Sequence, residues 1–244
     1  MKVLASDFDG TIFFKDHLKK EDIEAVEAFQ KEGHLFGLCT GRPLAGITKY
    51  VKDEMKFDFY IISTGAVILD KDLNPLYEKP ILKTTVQAII DKYEGKSMIA
   101  IQADRNFYSF HEERLDDKRY FLKTLDDLKT DAIFSISLEC QDEIEAKELC
   151  QNIKDTFLDV DAFQNTRYID VVPMGCSKGV AITMLKDMLH IESIAGIGDS
   201  YNDIPMLDTV DEAFTFNASP SQVKDHADQC VDSVAQAISI LMKK

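Results

Sequence analysis

The chain has 244 residues, of which 45% are hydrophobic and 29% charged, a composition typical of a soluble globular protein with one larger domain or two smaller ones. Its 28 basic and 43 acidic residues give a formal net charge of −15, which argues against a nucleic-acid or anionic-membrane surface, because either would need clustered Lys and Arg. A small anionic substrate is still compatible with this charge, since a local pocket can be positive or hold a bound cation.

The cysteines and histidines favour neither a disulfide framework nor a zinc site. The five cysteines are odd in number and widely spaced without a Cys-x-x-Cys pair, and the five histidines show no ligand spacing. Met1 and Lys2 lead directly into an apolar stretch without the hydrophobic region of a signal peptide, and no apolar run approaches membrane-spanning length. We therefore expect a cytoplasmic protein with reduced thiols and no membrane partner.

The first stretch, residues 3–12, predicts a short buried strand that ends in two carboxylates and a turn. Asp7 and Asp9 are two residues apart, so they project from the same side of the strand end. Two like charges repel and raise each other's pKa unless a cation or a reacting group lies between them. Gly10 allows a tight turn, and Thr11 adds a hydroxyl and a backbone N–H. The pair suits magnesium and acid/base chemistry, although an ordinary Asp-Gly turn is the alternative.

The next two elements predict a helix and a strand that ends at a phosphate-binding loop. Residues 20–32 have apolar positions at helical spacing, and Gly33 ends the helix. The apolar run 34–39 predicts a strand that finishes in Thr40-Gly41-Arg42-Pro43, and Pro43 suits the first turn of a following helix. Strand, loop and helix N-terminus in this order are typical of the phosphate-binding edge of a parallel sheet. The alternative is that Thr40 only caps the following helix.

A second apolar run leads to a predicted hairpin. Residues 59–63 end in Thr64-Gly65, and residues 66–77 predict a small hairpin beyond the sheet, with Asn74-Pro75 as its turn.

The organisation changes near residue 82, where hairpin-joined strands and two helices indicate an α+β insert that we expect to act as a lid. Its predicted elements are a helix at 84–93, strands at 98–103 and 106–110, a charged and partly helical stretch at 111–128, a strand at 132–139, a helix at 142–157, and strands at 158–164 and 167–172.

Strand–helix alternation returns after residues 173–175. Ser177 is the predicted N-cap of a helix that runs to Leu189, and an apolar strand at 193–197 ends in Gly198-Asp199-Ser200-Tyr201-Asn202-Asp203. The remaining predicted elements are a helix at 204–207, a strand at 213–216 that ends in Asn217-Ala218, and a helix at 234–242.

Four predicted strands therefore end in polar groups, which are Asp7 and Asp9, Thr40, Asp199, and Asn217. In a doubly wound parallel sheet, ligands bind at the C-terminal edge of the strands, so groups that are far apart in sequence meet there. We predict an α/β fold with a Rossmann-like doubly wound parallel sheet core formed by residues 1–81 and 173–244. Residues 82–172 are predicted to form the inserted α+β cap domain.

Lys178 and the Asp199–Asp203 cluster have both functional and structural interpretations. Lys178 lies in the first turn of a predicted helix, where the helix dipole disfavours a cation by roughly 0.3–1 kcal/mol, so a nearby anion would offset that cost. A solvated lysine is the alternative. Asp199 and Asp203 are four residues apart across a strand-to-helix turn, with Asn202 between them. A cluster that only caps the helix would use the same residue types.

Four motifs, in this order and spacing, resemble those of the haloacid dehalogenase-like superfamily: Asp7-Phe8-Asp9-Gly10-Thr11, Thr40-Gly41-Arg42, Ser177-Lys178-Gly179 and Gly198-Asp199-Ser200-Tyr201-Asn202-Asp203. The insert resembles the class IIB cap of the Cof-type sugar-phosphatase branch, and Phe216-Asn217-Ala218-Ser219-Pro220 resembles the C-terminal Asn-Ala-x-Pro loop of that branch. The resemblance covers essentially the whole chain. Thr64-Gly65 departs from the Asn-Gly that is usual in the branch, which leaves the contribution of Thr64 open.

The resemblance implies a Mg²⁺-dependent phosphatase. Asp7 would attack phosphorus and form an aspartyl-phosphate, while Asp9 would protonate the leaving alkoxide and then take a proton from the hydrolytic water. Mg²⁺ would be held by the carboxylates of Asp7 and Asp199 and by the backbone carbonyl of Asp9, with Asp203 in the outer shell.

The resemblance also implies a set of phosphate contacts. Thr40 and Lys178 would stabilise charge on the transferring phosphoryl group, and Asn202 would bind the phosphate or orient Lys178. Arg42 either pairs with a carboxylate or faces the substrate. The expected phosphate-binding residues are Gly10, Thr11, Thr40, Gly41, Arg42, Lys178, Asn202 and Asn217.

The sequence thus predicts hydrolysis of small phosphomonoesters, with sugar phosphates as the expected class, through phospho-Asp7. The alternatives are a sugar phosphomutase that uses the same phospho-Asp7 and a non-catalytic module that binds phosphorylated metabolites. The expected partner is a small phosphorylated metabolite and not a nucleic acid, and the expected state is a monomer or weak homodimer. Four arginines of the cap are candidate contacts for a polar or anionic substrate group, with solvated surface as the alternative: Arg105, Arg114, Arg119 and Arg167.

Overall fold

A computed structural model describes residues 1–51, 54–111 and 119–243, with Arg119 described by its backbone only. It contains a larger sheet of eight strands and a smaller sheet of six. In spatial order, the strands of the larger sheet are Gln229–Val231 (β16), Glu212–Phe216 (β15), Ala195–Ile197 (β14), Val3–Ser6 (β1), Leu35–Cys39 (β4), Phe59–Ile62 (β5), Val67–Asp70 (β6) and Pro75–Glu78 (β7).

The six strands from β16 to β5 are parallel, and the chain moves outward from β1 in both directions. β1 pairs with β4 on one side and with β14 on the other. It therefore lies where the strand order reverses, which is the position at which doubly wound sheets bind ligands.

Helices cover both faces of the larger sheet. They are Lys20–Lys31 (α1), Leu44–Val51 (α2), Lys178–Leu189 (α5), Ile204–Leu207 (α6), Ser221–Lys224 (α7) and Val234–Lys243 (α8). Leu4 of β1 packs in a cluster with residues of α1, α2 and α8, whereas Val3 and Ala5 pack in a second cluster with residues of α5, α6 and α7. This alternation follows from the two-residue period of a strand, and it confirms the predicted α/β class.

The hairpin predicted at residues 66–77 is present, but its predicted place beyond the sheet is wrong. β6 pairs antiparallel with β5, and β7 pairs with β6, so both strands extend the larger sheet. The reason is the turn Ser63–Gly65, in which three consecutive residues have positive φ and reverse the chain at once.

The smaller sheet is formed by the part of the chain predicted as the cap. In spatial order, its strands are Arg119–Phe121 (β10), Asn106–Ser109 (β9), Met98–Ala103 (β8), Ile133–Glu139 (β11), Tyr168–Pro173 (β13) and Val160–Asn165 (β12). Helices Lys83–Tyr93 (α3) and Glu143–Thr156 (α4) share one hydrophobic cluster with this sheet. Separate sheets and clusters fit a division at residues 82 and 172, which stays a prediction.

Several short elements were not predicted from the sequence. A two-stranded hairpin joins Phe13–Phe14 (β2) to His17–Leu18 (β3), and both α7 and β16 are additional to the predicted elements. In the stretch predicted as partly helical, the described residues form β10 and a single 3₁₀ turn at Leu125–Asp127, and residues 112–118 lie outside the described part. Within the described ranges, no helix combines the length and apolarity needed to cross a membrane.

Candidate active site

The predicted motif residues meet at the C-terminal end of β1, where a cavity of about 510 Å³ lies between the two sheets. The Asp7 N–H donates to the carbonyl of Ile197 on β14 at 2.9 Å, which continues the sheet by one residue and fixes the Asp7 backbone. Gly10 has φ +79°, and its N–H donates to the carbonyl of Phe13, so the chain turns immediately into the β2–β3 hairpin. The turn leaves the Asp7 and Asp9 side chains at the cavity wall.

Lys178 is fully buried and bridges two carboxylates. Its Nζ atom donates to Oδ1 of Asp7 and to Oδ1 of Asp203, each at 2.6 Å. Burial opposes the charged ammonium, but the carboxylates of Asp203 and Asp7 outweigh burial and hold the pKa of Lys178 well above its usual value. The alternative of a solvated lysine is therefore wrong for Lys178.

The Ser177 cap explains how a cation reaches this place. The Ser177 side chain accepts from the Val180 N–H at 3.1 Å and begins α5, as predicted, with Lys178 as the first helical residue. The unfavourable position at the helix N-terminus is offset by the two carboxylates within hydrogen-bond distance of Nζ.

Asp7, Asp199 and Asp203 form an acidic cluster in which one carboxylate oxygen from each residue lies within 4.8 Å of the other two. Lys178 uses Oδ1 of Asp7, and the Thr11 hydroxyl donates to Oδ1 of Asp199 at 2.8 Å, so the second oxygen of each carboxylate can bind a cation. Asp203 is used differently, because its Oδ2 accepts from the N–H groups of Asp199 and Ser200. When all three carboxylates are ionised, they and the one ammonium leave two negative charges, which fits a divalent cation such as Mg²⁺.

The raised pKa values of two carboxyl groups in the cluster indicate that Lys178 alone does not neutralise its negative charge. Burial and the Asp203 carboxylate raise the pKa of Asp7 well above its usual value, against the opposing effect of Lys178. Burial and Asp203 also raise the pKa of Asp199 to about 7. A bound cation would favour the ionised form of both groups.

Only a glycine at position 10 allows the Asp199 side chain to approach the backbone of the turn this closely, because a Cβ atom there would lie 2.5 Å from Oδ2 of Asp199.

Asp9 forms a bidentate ion pair with Arg42. Arg42 Nε and Nη2 each lie 2.5 Å from one oxygen of the Asp9 carboxylate, and Nη1 donates to the carbonyl of Gly46 at 2.8 Å. The guanidinium also lies over the rings of Phe8 and Tyr50. Of the two alternatives for Arg42, the structure therefore shows pairing with a carboxylate, and both partners line the cavity.

Thr40 is 1% exposed and lies at the floor of the same cavity. Its Oγ1 atom accepts from the Arg42 N–H at 3.2 Å, two residues before α2 begins. The hydroxyl thus orders the loop that precedes the helix, and its own hydrogen can still be donated toward the cavity.

Two buried polar residues of the smaller sheet contact the larger sheet beside the cavity, Gln102 at the Thr40 loop and Asp170 at the turn Ser63–Gly65, and the sequence analysis missed both. Gln102 on β8 donates to the Gly41 carbonyl, and Asp170 on β13 accepts from the hydroxyls of Thr64 and Ser137, each at 3.2 Å. Burial raises the pKa of Asp170 to about 6, against the opposing effect of these hydrogen bonds. The available signal was a polar residue within an otherwise apolar strand.

Asn202 and Asn217 have different surroundings. Asn202 is 4% exposed and lines the main cavity. Asn217 instead donates to Asp232 at 2.7 Å and lines a separate cavity of about 370 Å³, on the side of Asp199 that faces Gly10 and Thr11. The structure thus brings Asn202, but not Asn217, to the cavity that contains Asp7.

The cap arginines do not converge on the cavity in the described part of the chain. Arg105 donates to the Leu73 carbonyl and pairs with Glu78. Arg167 pairs with Glu139 at 2.7 Å. Arg114 lies outside the described residues, and the side chain of Arg119 is not among those described.

Residues 4–241 match the family model of the haloacid dehalogenase-like hydrolases. Among curated proteins, the 5-amino-6-(5-phospho-D-ribitylamino)uracil phosphatase YcsE of Bacillus subtilis is 26% identical over an alignment of 249 positions that covers 98% of this chain and 94% of that protein. A haloacid dehalogenase-like hydrolase from B. subtilis has a similar structure, with a TM-score of 0.87, 18% identity, and coverage of 99% and 98% of the two chains.

The subclass IIB sugar phosphatase BT4131 is also similar, with a TM-score of 0.82, 20% identity, and coverage of 100% of this chain and 98% of the other. These structural likenesses confirm the predicted fold with its cap.

Proposed function

The chain belongs to the haloacid dehalogenase-like hydrolase family and is a phosphatase, and we propose that it hydrolyses small phosphomonoesters, with sugar phosphates as the substrate class, through phospho-Asp7. The observation that carries this proposal is the buried contact of Asp7 with Lys178, together with the cavity that Asp7 and the Asp9–Arg42 pair line. A carboxylate beside a fixed ammonium, with a second carboxylate close by, supplies a nucleophile and an acid/base group.

In the first step, an Asp7 oxygen bonds to phosphorus as the bond from phosphorus to the leaving alkoxide breaks. Asp9, which carries a proton taken from solvent or from the hydrolytic water of the previous turnover, gives that proton to the alkoxide and becomes a carboxylate. In the second step, water attacks the phosphorus of phospho-Asp7, Asp9 takes the proton of that water, and the acyl-phosphate bond breaks to return the Asp7 carboxylate. The two hydrogen bonds from Arg42 would orient Asp9 in its carboxylate form, which is the form that takes the proton of the water in the second step.

The phosphoryl oxygens carry the charge that develops during transfer. Lys178 and the Thr40 hydroxyl would stabilise that charge, and Asn202 would contribute a side-chain amide. Mg²⁺, held by Asp7, Asp199 and the backbone carbonyl of Asp9 with Asp203 outside the first shell, would supply further positive charge.

The walls of the cavity support a leaving group rich in hydroxyls. The smaller sheet contributes the polar side chains of Ser109, Ser137 and Asn165, while Phe107 and Tyr168 contribute aromatic rings. Hydroxyls and amides exchange hydrogen bonds with a polyol, and flat rings pack on the C–H faces of a sugar.

Phosphate release across a panel of phosphorylated sugars, with Mg²⁺ and with EDTA, tests the proposal. We expect turnover that requires Mg²⁺ and falls at least about 10³-fold in Asp7→Asn, because an amide is a poor nucleophile and covalent catalysis is lost. Appreciable Mg²⁺-dependent release by Asp7→Asn would overturn the assignment of the nucleophile. Conversion of a hexose 1-phosphate into the 6-phosphate without free phosphate would instead identify a phosphomutase.

The cytoplasmic location and the monomeric or weakly dimeric state also belong to the proposal. All five cysteines are free thiols, and four of them are buried, which fits a reducing compartment. Fractionation of cells, and sedimentation over a range of protein concentrations, would test the two statements.

A further inference from the structure

The loop Thr40–Arg42 offers three successive carbonyls, and each accepts one hydrogen bond. The Thr40 carbonyl accepts from the Thr64 N–H at 3.1 Å, and the Arg42 carbonyl accepts from the Ser63 N–H at 3.0 Å. The middle carbonyl, that of Gly41, accepts from Nε2 of Gln102 at 2.9 Å. The outer two donors belong to the larger sheet's own turn, whereas the middle donor belongs to the smaller sheet.

Gln102 uses both ends of its side-chain amide for this contact between the sheets. Nε2 donates to Gly41, and Oε1 accepts from the Ser63 hydroxyl at 2.8 Å. The residue is 2% exposed and lies on β8, opposite Phe107 on one neighbouring strand and Ser135 on the other. Because the Ser63 hydroxyl is a donor and the Gly41 carbonyl an acceptor, the two partners fix which way the amide points.

The peptide between Gly41 and Arg42 links Gln102 to the phosphoryl site. In a trans peptide the C=O and N–H groups point in opposite directions, so a donor on the Gly41 carbonyl also sets the direction of the Arg42 N–H. That N–H donates to Oγ1 of Thr40. With one lone pair of Oγ1 occupied in this way, the Thr40 hydroxyl is directed to donate its hydrogen elsewhere, toward the cavity.

We infer that Gln102 is a positioning residue, through which docking of the smaller sheet orients the Thr40 hydroxyl toward a bound phosphoryl group. The inference rests on the proposed function, because it concerns the same phosphoryl site. Gln102 also lines the cavity, but Ser63 and Gly41 engage both ends of its side-chain amide, so we expect it to act on the transferring group through the peptide of Gly41. The cavity is then complete for phosphoryl binding only when the two sheets are in contact.

Orthovanadate binding, measured by calorimetry in the presence of Mg²⁺, tests the inference without requiring turnover. Vanadate has the charge and the oxygens that Thr40 would contact. In Gln102→Met, which keeps the length of the side chain but removes both hydrogen bonds, we expect vanadate to bind about 10- to 100-fold more weakly, since small misplacements of catalytic groups have effects of this size. Gln102→Glu, which keeps the acceptor for Ser63 but loses the donor to Gly41, is expected to show the same loss.

Gln164→Met is the matched control. Gln164 also lies on a strand of the smaller sheet, but its Nε2 donates to the carbonyls of Glu143 and Thr166 within that sheet's own part of the chain. We expect vanadate binding of this variant within about twofold of wild type. Thermal unfolding shows whether each variant is folded. If Gln102→Met does not fold, Gln102→Glu serves as the test variant.

A double variant separates positioning from a general structural role. Thr40→Val removes the hydroxyl through which Gln102 acts, so adding Gln102→Met to it should weaken vanadate binding by no more than about twofold further. Wild-type affinity in both Gln102 variants, or losses that multiply in the double variant, would overturn the inference. A wild-type protein that binds vanadate but releases no phosphate from any substrate would count against the proposed function and leave this comparison intact.

Discussion

In the proposed mechanism, the ion pair with Arg42 would orient Asp9 as an acid/base group. Both oxygens of the Asp9 carboxylate accept from the guanidinium, and the guanidinium is itself held by the Gly46 carbonyl and by two aromatic rings. A planar guanidinium with several fixed N–H donors binds both oxygens of a carboxylate and so fixes its orientation. A single hydrogen bond would leave the carboxylate free to rotate.

We predict that Arg42→Lys lowers kcat by about 10- to 100-fold with a smaller change in KM. A lysine retains the charge but offers a compact ammonium on a flexible stem, so the Asp9 carboxylate would lose its defined direction toward the attacking water. Steady-state kinetics on a sugar phosphate measure the effect. Arg105→Lys is the control, because Arg105 pairs with Glu78 outside the cavity and should retain wild-type kcat. Equal kcat values in both variants would contradict the prediction.

The buried carboxyl group of Asp170 makes the stability of the folded protein depend on pH. Its pKa is about 6 in the folded protein because the side chain is buried, whereas an Asp in an unfolded chain has a pKa of roughly 3.9. Between these values the unfolded chain ionises Asp170 first, so this residue increasingly disfavours the folded state as the pH rises from about 4 to 6. Above pH 6 the cost is constant.

We therefore expect Asp170→Asn, which does not titrate, to gain stability relative to wild type as the pH rises. The difference in unfolding free energy, variant minus wild type, should increase by up to about 3 kcal/mol between pH 4 and pH 7. Urea unfolding of both proteins at pH 4, 5, 6 and 7 measures it. The hydrogen bonds that the substitution alters add a constant to every pH, so a difference that does not change with pH would contradict the prediction.

The turn Ser63–Gly65 is the element on which the site and the smaller sheet both depend. Its φ values are +50°, +53° and +92°, and the first two belong to residues with a Cβ atom. A β-branched residue such as Thr has a high conformational energy at positive φ, so the surrounding contacts must hold Thr64 in this conformation. Those contacts are the hydrogen bonds to Thr40, Arg42, Gln102 and Asp170.

We predict that Thr64→Asn stabilises the protein by about 1 kcal/mol. Asn tolerates positive φ better than Thr, and its Nδ2 atom can replace the donor to Asp170. Urea unfolding at pH 7 measures the change. Thr166→Asn is the matched control, since Thr166 has φ +51° in the turn between β12 and β13 and should gain about as much. A loss at Thr64 beside a gain at Thr166 would show that the Thr64 hydroxyl outweighs the backbone strain.

Elements with a local signal could be predicted from the sequence, and contacts between distant elements could not. Ser177 and the apolar periodicity that follows define α5 and place Lys178 in its first turn. The partner of Arg42 is 33 residues away, and a charge alone does not say whether it faces a carboxylate or a substrate. Gln102 and Asp170 are further still from Gly41 and Thr64, at separations of 61 and 106 residues. Only packing of the two sheets decides such pairs.

In the whole molecule, the two sheets meet next to a buried group of side chains that has more acidic than basic members. Asn165 at the end of β12 accepts from the Ser200 hydroxyl at 3.0 Å, next to Asp199, so the smaller sheet contacts the acidic cluster as well as the Thr40 loop. With its three carboxylates ionised, the cluster of Asp7, Asp199 and Asp203 has two negative charges after Lys178 is counted, within a chain of net charge −15. The folded state is therefore expected to be stabilised by a divalent cation more than by ionic strength alone.

We expect Mg²⁺ at 100 times its dissociation constant to raise the unfolding free energy by about 2.7 kcal/mol and the Tm by roughly 5–10 °C. Scanning calorimetry with MgCl₂, with EDTA, and with NaCl at equal ionic strength measures the effect. Asp199→Asn should abolish the response to Mg²⁺ and, because it removes a buried carboxylate that repels Asp203, should raise the Tm in EDTA. Asp208→Asn, which alters an exposed pair with His226, should keep the full response. A response to Mg²⁺ in Asp199→Asn equal to that of wild type would place the cation elsewhere.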